Sequence, residues 1–159
     1  MIGQKLPRIP ALLAAVALTA CQSGPSSALA PTAGDIRTCE ALTRRILDTP
    51  MNSLALIRTA YASPVREKLL RAVTSDPYDG GFDYDYVYDT QDDRPIATTV
   101  GPGRIAGRRI IVPVDMRYTH HRPKQQSWVF VKSGGGWAAS DIIYANDRRL
   151  TGLPAFLAH

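Results

Sequence analysis

One stretch, Ser127–Tyr144 (SWVFVKSGGGWAASDIIY), limits what this chain can fold into more than any other. Trp128, Val129, Phe130 and Val131 are aromatic or β-branched, the types that fit a pleated surface. Lys132, Ser133 and three consecutive glycines, Gly134 to Gly136, break that run. Glycine adopts φ > 0 without steric cost, which is the chemistry of a hairpin turn. Trp137 restarts the apolar run, which ends at Ile142, Ile143 and Tyr144. The pattern predicts two antiparallel strands. An isolated hairpin is marginal in water, so the rest of the chain must cover its apolar face.

The residues before it extend the sheet. Ile96 to Val100 reads as a short strand, and Gly101-Pro102-Gly103 as a turn. Arg104 to Thr119 contains a long strand, in which Val112, Val114, Met116 and Tyr118 share one face and Asp115 and Arg117 the other. Pro113 cannot donate to a ladder, which predicts an edge or a bulge there. His120 to Gln126 reads as a polar hairpin tip. The adjacent His120 and His121 do not form a metal pair on a strand, where neighbours point to opposite faces.

The cover comes from upstream. Asp35 reads as a helix cap, followed by Ile36, Cys39, Leu42, Ile46 and Leu47 at helical spacing, with Pro50 as the stop. Asn52 or Ser53 caps a second piece carrying Leu54, Ile57 and Tyr61. Ser63-Pro64 opens a third, with Pro64 at the first helical position, and Val65, Leu69, Leu70 and Val73 as its apolar stripe. After Asn146-Asp147, the residues Leu150, Leu153, Phe156 and Leu157 suggest a short apolar closing segment. Helices followed by an antiparallel meander of about four strands predict an α+β fold, the helices packed on one face of the sheet.

The N-terminus is of another kind. Lys5 and Arg8 precede an apolar run from Ile9 to Ala17, and Leu18-Thr19-Ala20-Cys21 follows. A basic start, a short apolar core and small residues before a cut form an export signal. The apolar run is shorter than the ~20 residues that span a bilayer. Gln22 to Gly34 is small and polar with two prolines, too poor in apolar side chains to fold. As a flexible coil its reach is roughly 20 Å. The expected organisation is a signal over 1–20, an anchored Cys21 and tether over 21–34, and one domain over 35–159. Removing Lys5 and Arg8 from the 19 basic residues leaves 17 against 14 acidic ones, a net charge of +3. The basic residues are scattered, which argues against a nucleic-acid partner. Cys39 is the second of only two cysteines and reads as a buried thiol on a helix face.

Thr74 to Asp93 is the most unusual composition: seven aspartates, among them Asp79, Asp83, Asp85 and Asp92, interleaved with Tyr84, Tyr86 and other aromatics. Clustered carboxylates supply oxygen ligands for Ca²⁺, but the ordered spacing of a calcium loop is absent. We read the stretch as a solvated acidic loop without metal, its tyrosines packed on the domain edge. Asp79, Asp83, Asp85, Tyr84, Tyr86 and Asp92 are then candidates for contact with a partner. No nucleophile elbow, metal-ligand spacing or phosphate-cradling loop accompanies them, and no cofactor is expected.

Two resemblances sharpen this reading. Leu18-Thr19-Ala20-Cys21 resembles the lipobox of bacterial lipoproteins. It implies diacylglycerol on the Cys21 thiol, cleavage before Cys21, and acylation of the new N-terminus. Gln22, in place of an aspartate, implies the outer membrane. The pattern from Val112 to Leu157 (V-x-V, W-V-F-V-K, G-G-W, S-D-I-I-Y, R-L-x-x-L) resembles an uncharacterised family of bacterial exported lipoproteins. That family looks like a member of the cone-shaped superfamily typified by nuclear transport factor two and by cystatin-like sheets. Trp137, Asp141, Ile142 and Tyr144 match its Trp-x-x-x-Asp-Ile-x-Tyr strand, and Asp92 stands where the family carries an acidic residue. Relatives of this shape include isomerases and dehydratases that use an Asp, His or Tyr inside the cone, which here implies Asp141, Asp115 and Tyr118. Two functions follow as expectations. The first is a non-enzymatic binding module on a membrane-anchored envelope lipoprotein, docking a protein or small ligand, with an immunity-type partner as one form. The second is a small-molecule enzyme using an Asp inside the cone. Trp128, Phe130 and Trp137 decide between them: filling the cone favours the binding module, and a roomy cavity facing Asp141 favours the enzyme.

Overall fold

The computed structural model describes residues 30–75, 85–90 and 94–152. The fold is α+β, three helices packed against an antiparallel sheet of five strands. The helices are α1 (Ala33–Leu47), α2 (Leu54–Ala60) and α3 (Val65–Ser75). The strands are β1 (Ala97–Val100), β2 (Arg104–Ala106), β3 (Arg109–Arg117), β4 (Lys124–Ser133) and β5 (Gly136–Ile143). No helix among the described residues is long and apolar enough to cross a membrane.

The cap of the first helix lies three residues before the expected one. Thr32 is the N-cap, accepting from Asp35 N, while the Asp35 carboxylate reaches back to Thr32 N at 2.9 Å. Asp35 is thus the second half of a capping box rather than the cap itself. Ser53 caps α2 through Leu56 N, and α3 starts at Val65.

The sheet gains a strand that the sequence pattern hid. Arg104 to Arg117 is not one strand: Gly107, at φ +62°, and Arg108 form a two-residue turn between β2 and β3. Both β1 and β2 pair with β3, β1 along residues 114–117 and β2 along 109–111. Pro113 falls opposite the gap between them. It is neither on an edge strand nor at a bulge, and β3 lies inside the sheet. The Pro113 carbonyl accepts from Gly101 N at 2.9 Å across that gap. The nitrogen of a strand residue points the same way as its carbonyl, so the missing N–H faces the place where the neighbouring strand breaks. The one irregularity lies between β4 and β5, where Ser140 is extra: Phe130 pairs with Ala139 and Val129 with Asp141.

Val112, Val114 and Met116 alternate inward from β3 and are fully buried, as are Trp128 and Phe130 from β4. They meet Cys39 and Ile46 of α1, Ile57 of α2, and Val65 and Leu69 of α3 in one core. Burial pushes the Cys39 thiol up to about 12, with the nearby Asp35 carboxylate adding to the shift.

The two ends of the sheet differ. One end carries the β2–β3 and β4–β5 turns and the start of α1. There the Trp137 indole N–H donates to the Asp35 carboxylate at 2.5 Å, and Lys132 approaches it at 3.1 Å. These donors, Trp137 first, hold the Asp35 carboxyl far below the ordinary carboxylate range. The other end, the mouth, carries Tyr118, the start of β4 and the end of β5. The outer edge of β5 is covered by Tyr61 and Ala62, with Ala62 N donating to Ala139 O at 2.8 Å. It is also covered by Arg149, which bridges back to Ile143.

Candidate functional site

Residues 85–90 close the mouth. Their backbone forms a small loop in which Asp85 N donates to Thr90 O at 2.8 Å. The Asp85 carboxylate accepts from Val87 N at 3.0 Å and Tyr88 N at 3.1 Å, an aspartate-centred turn. Burial pushes the Asp85 carboxyl upward, and these two N–H groups oppose the shift only partly. Tyr86 and Val87 point inward and are buried. The structure therefore places Tyr86 in the core, not on a surface open to a partner.

Four tyrosines fasten this loop, each donating its hydroxyl to a distant backbone carbonyl. Tyr144 donates to Tyr86 O at 2.7 Å and Tyr118 to Tyr88 O at 2.6 Å. Tyr88 donates to Leu47 O at 2.6 Å and Tyr86 to Met51 O at 3.2 Å. Tyr61 stands edge-on to Tyr86 with ring centres 6.3 Å apart. Burial raises the phenol pKa of Tyr61, Tyr86, Tyr88 and Tyr144. At neutral pH they are protonated phenols, not bases.

Asp89 completes the closure. It sits in the left-handed region at φ +56°, which aspartate tolerates better than most residues. Its buried carboxylate pairs with Arg148 at 2.7 Å and lies 3.7 Å from Lys124, which also donates to the Asp89 carbonyl. The loop is thus tied to β4 and to the segment after β5 by charge as well as by tyrosines.

The residues implied as catalytic are placed apart. Asp141 is buried, and its carboxylate accepts from Arg149 at 3.1 Å, Thr151 N at 3.2 Å and Ile142 N at 3.0 Å. It holds the returning tail on the edge of β5, where Leu150 is fully buried. Asp115 lies on the exposed face of β3 and accepts from Gln125 at 2.8 Å. Tyr118 is committed to Tyr88 O. Trp128 and Phe130 are fully buried on the sheet face that the helices cover, and Trp137 is buried at the turn end. His120 and His121 are exposed at the β3–β4 tip, with His121 edge-on to Tyr118 at 6.1 Å. Among the described residues no three His, Cys, Asp or Glu side chains group as metal ligands do. Cys21, Asp79, Asp83, Tyr84 and Asp92 lie outside the described residues.

One concave feature beside the mouth is a shallow cleft of about 260 Å³ where β4 and β5 part. It is lined by residues 125–127 and 143–147, with Asn146 and Asp147 both at positive φ. Gln126 lines this cleft and is only 3% exposed. Its Oε1 accepts from the Trp128 indole at 3.2 Å, while its Nε2 has no partner among the described residues. A buried donor left unpaired costs about 1–3 kcal/mol, so this amide is the unmet polar demand at the cleft. The sequence held a signal for it: Gln126 shares the inward alternation of Trp128 and Phe130, an unusual position for an amide.

Comparison with protein-family models, with curated proteins and with solved structures finds no match for this chain.

Proposed function

We propose that this chain is an envelope lipoprotein, anchored through Cys21, whose domain is a non-enzymatic module that docks a protein partner in the periplasm. The observation that carries the reading is the filled face of the sheet beneath the helices. Trp128 and Phe130 are fully buried in it, and the Tyr86–Asp89 loop closes the mouth with four tyrosine hydroxyls and two basic partners. Asp141, which a cone enzyme would need free inside a cavity, spends its oxygens on Arg149 and Thr151. The lipobox-like Leu18-Thr19-Ala20-Cys21 and the resemblance of Val112 to Leu157 to exported lipoproteins support the location.

The docking surface in this reading is the cleft beside the mouth. Gln126 lies beneath it with Nε2 sealed from solvent, so the groups a partner would meet are those of the rim. Asn146 and Asp147 form its exposed rim. The test is photo-crosslinking in the native envelope from a reactive side chain placed at Asn146, against the same group at Arg58 on exposed α2. A discrete adduct from Asn146 that Arg58 does not give is expected. The same adducts from both positions, or none from Asn146, would overturn the docking surface.

A further inference from the structure

We propose that the β2–β3 hairpin is a second, membrane-facing contact, binding the anionic headgroups of a phospholipid surface through Arg104, Arg108 and Arg109. The hairpin, Arg104-Ile105-Ala106-Gly107-Arg108-Arg109, places three exposed arginines within six residues and no acidic one. None of the three has an ion-pair partner among the described residues, in contrast to the mouth, where Lys124 and Arg148 share Asp89 and Arg149 meets Asp141. Ile105, between them, is one of two large apolar side chains left exposed among the described residues, at 44%. The outer edge of β2 pairs with no strand among the described residues. A Cβ built on Gly107 meets nothing within 4 Å, so the turn projects into open space.

The position of this hairpin matters as much as its composition. Ile110 pairs with Phe130, and Ser133 with Gly136, so the β2–β3 and β4–β5 turns lie at the same end of the sheet. The start of α1 is fixed at that end too, through Asp35 to Trp137 and Lys132. Next to Arg104, Gly103 N donates to Glu40 of α1 at 2.9 Å. α1 begins at Ala33 at this end, so the preceding chain leads back toward Cys21 from the end that carries the arginines. An anchored domain would present this end to the bilayer. Arginines around an exposed isoleucine combine charge attraction with insertion of an apolar side chain, the chemistry of an interfacial contact.

Each basic residue near an anionic surface strengthens binding roughly fivefold, or on the order of a hundredfold for three. Salt screens that attraction beyond about 10 Å at moderate ionic strength. This inference rests on the envelope reading for its setting, but its test does not need the anchor. The chain from Gln22 onward, which lacks the lipid site and contains the whole described fold, is mixed with vesicles. One set is phosphatidylcholine alone and the other contains phosphatidylglycerol. Binding is measured by co-sedimentation at low and high salt. The wild-type chain should bind the phosphatidylglycerol vesicles, lose binding in high salt, and ignore the neutral ones. Changing Arg104, Arg108 and Arg109 to Gln should weaken binding on the order of a hundredfold, with the circular dichroism unchanged. Changing Arg58, Arg117 and Arg122 to Gln removes the same charge elsewhere and should weaken it far less. Equal losses from the two triple variants would show a net-charge effect and overturn the proposal. So would equal binding to the two vesicle types. Neither failure would bear on acylation of Cys21, which is read separately by palmitate labelling.

Discussion

Trp137 joins the glycine turn of the sheet to the start of α1, so replacing it tests the packing and the electrostatics of that junction together. The ring is 7% exposed, its N–H donates to Asp35, and Lys132 sits over its face at 4.9 Å. Truncating a buried aromatic side chain to Ala costs about 3–5 kcal/mol, and the cation over the ring adds about 0.5–1 kcal/mol. Against a total stability of about 5–15 kcal/mol, Trp137→Ala removes about a quarter or more of what holds the domain. At about 3–6 °C per kcal/mol for a domain of this size, the melting temperature should fall by roughly 10–35 °C. Trp137→Phe separates the contributions. It keeps most of the buried area and removes the N–H, so the melting temperature should fall much less. The Asp35 carboxyl should meanwhile titrate closer to the ordinary carboxylate range, because its largest stabilising partner is gone. Thermal melts followed by circular dichroism read the first effect and carbon-detected NMR titration the second. A Trp137→Ala melt that overlays wild type, or an Asp35 titration unmoved in Trp137→Phe, would refute the reasoning.

The same logic gives opposite signs for two carboxylates. Asp35 has a lowered pKa in the fold, so its contribution is present above the ordinary carboxylate range and is lost as the pH falls below it. Asp85 has a raised pKa, so the fold loses stability from this group as the pH rises through that range. Asp85→Asn keeps an oxygen for Val87 N and Tyr88 N without a buried charge, and should melt higher than wild type at neutral pH. That advantage should vanish in acid, and a neutral-pH melt below wild type would contradict it. Cys39 is fully buried with its thiol pushed up to about 12, so the native protein should resist a thiol reagent at neutral pH and react promptly in denaturant. Equal rates in the two conditions would contradict that burial.

The strands were legible because their signals are local. Alternation along Val112 to Tyr118 and the Trp128–Val131 run need only period two. The extra strand was not, because Gly107-Arg108 interrupts a run that remains β-compatible on both sides, and two-residue turns leave little trace. Pro113 misled for a related reason. A proline argues against ladder pairing on one side only, and which side lacks a partner depends on where β1 ends and β2 begins. Asp35 was recognised as part of a helix start but one turn out of place, since a capping box puts acceptors at both of its positions. The acidic, tyrosine-rich stretch shows the limit most clearly. Its composition suggests a solvated surface, yet Tyr86 and Val87 point inward, since distant carbonyls at Leu47 and Met51 satisfy the hydroxyls of Tyr88 and Tyr86. Such partners lie 41 and 35 residues away, beyond any local pattern. Gln126 was readable in principle, as an amide in an inward row, but its unpaired Nε2 emerges only once Trp128 is seen to take the other atom.

Location is the central claim, because both the docking module and the arginine hairpin are read for a domain tethered to a bilayer. Intact mass measurement of the protein extracted from membranes tests it most directly. A lipid anchor at this residue predicts a chain that begins at Cys21 and carries a diacylglycerol and an amide-linked acyl chain, both of which disappear in Cys21→Ala together with the membrane association that survives high salt. A chain that retains residues 1–20, or one that starts at another residue without lipid, would contradict it.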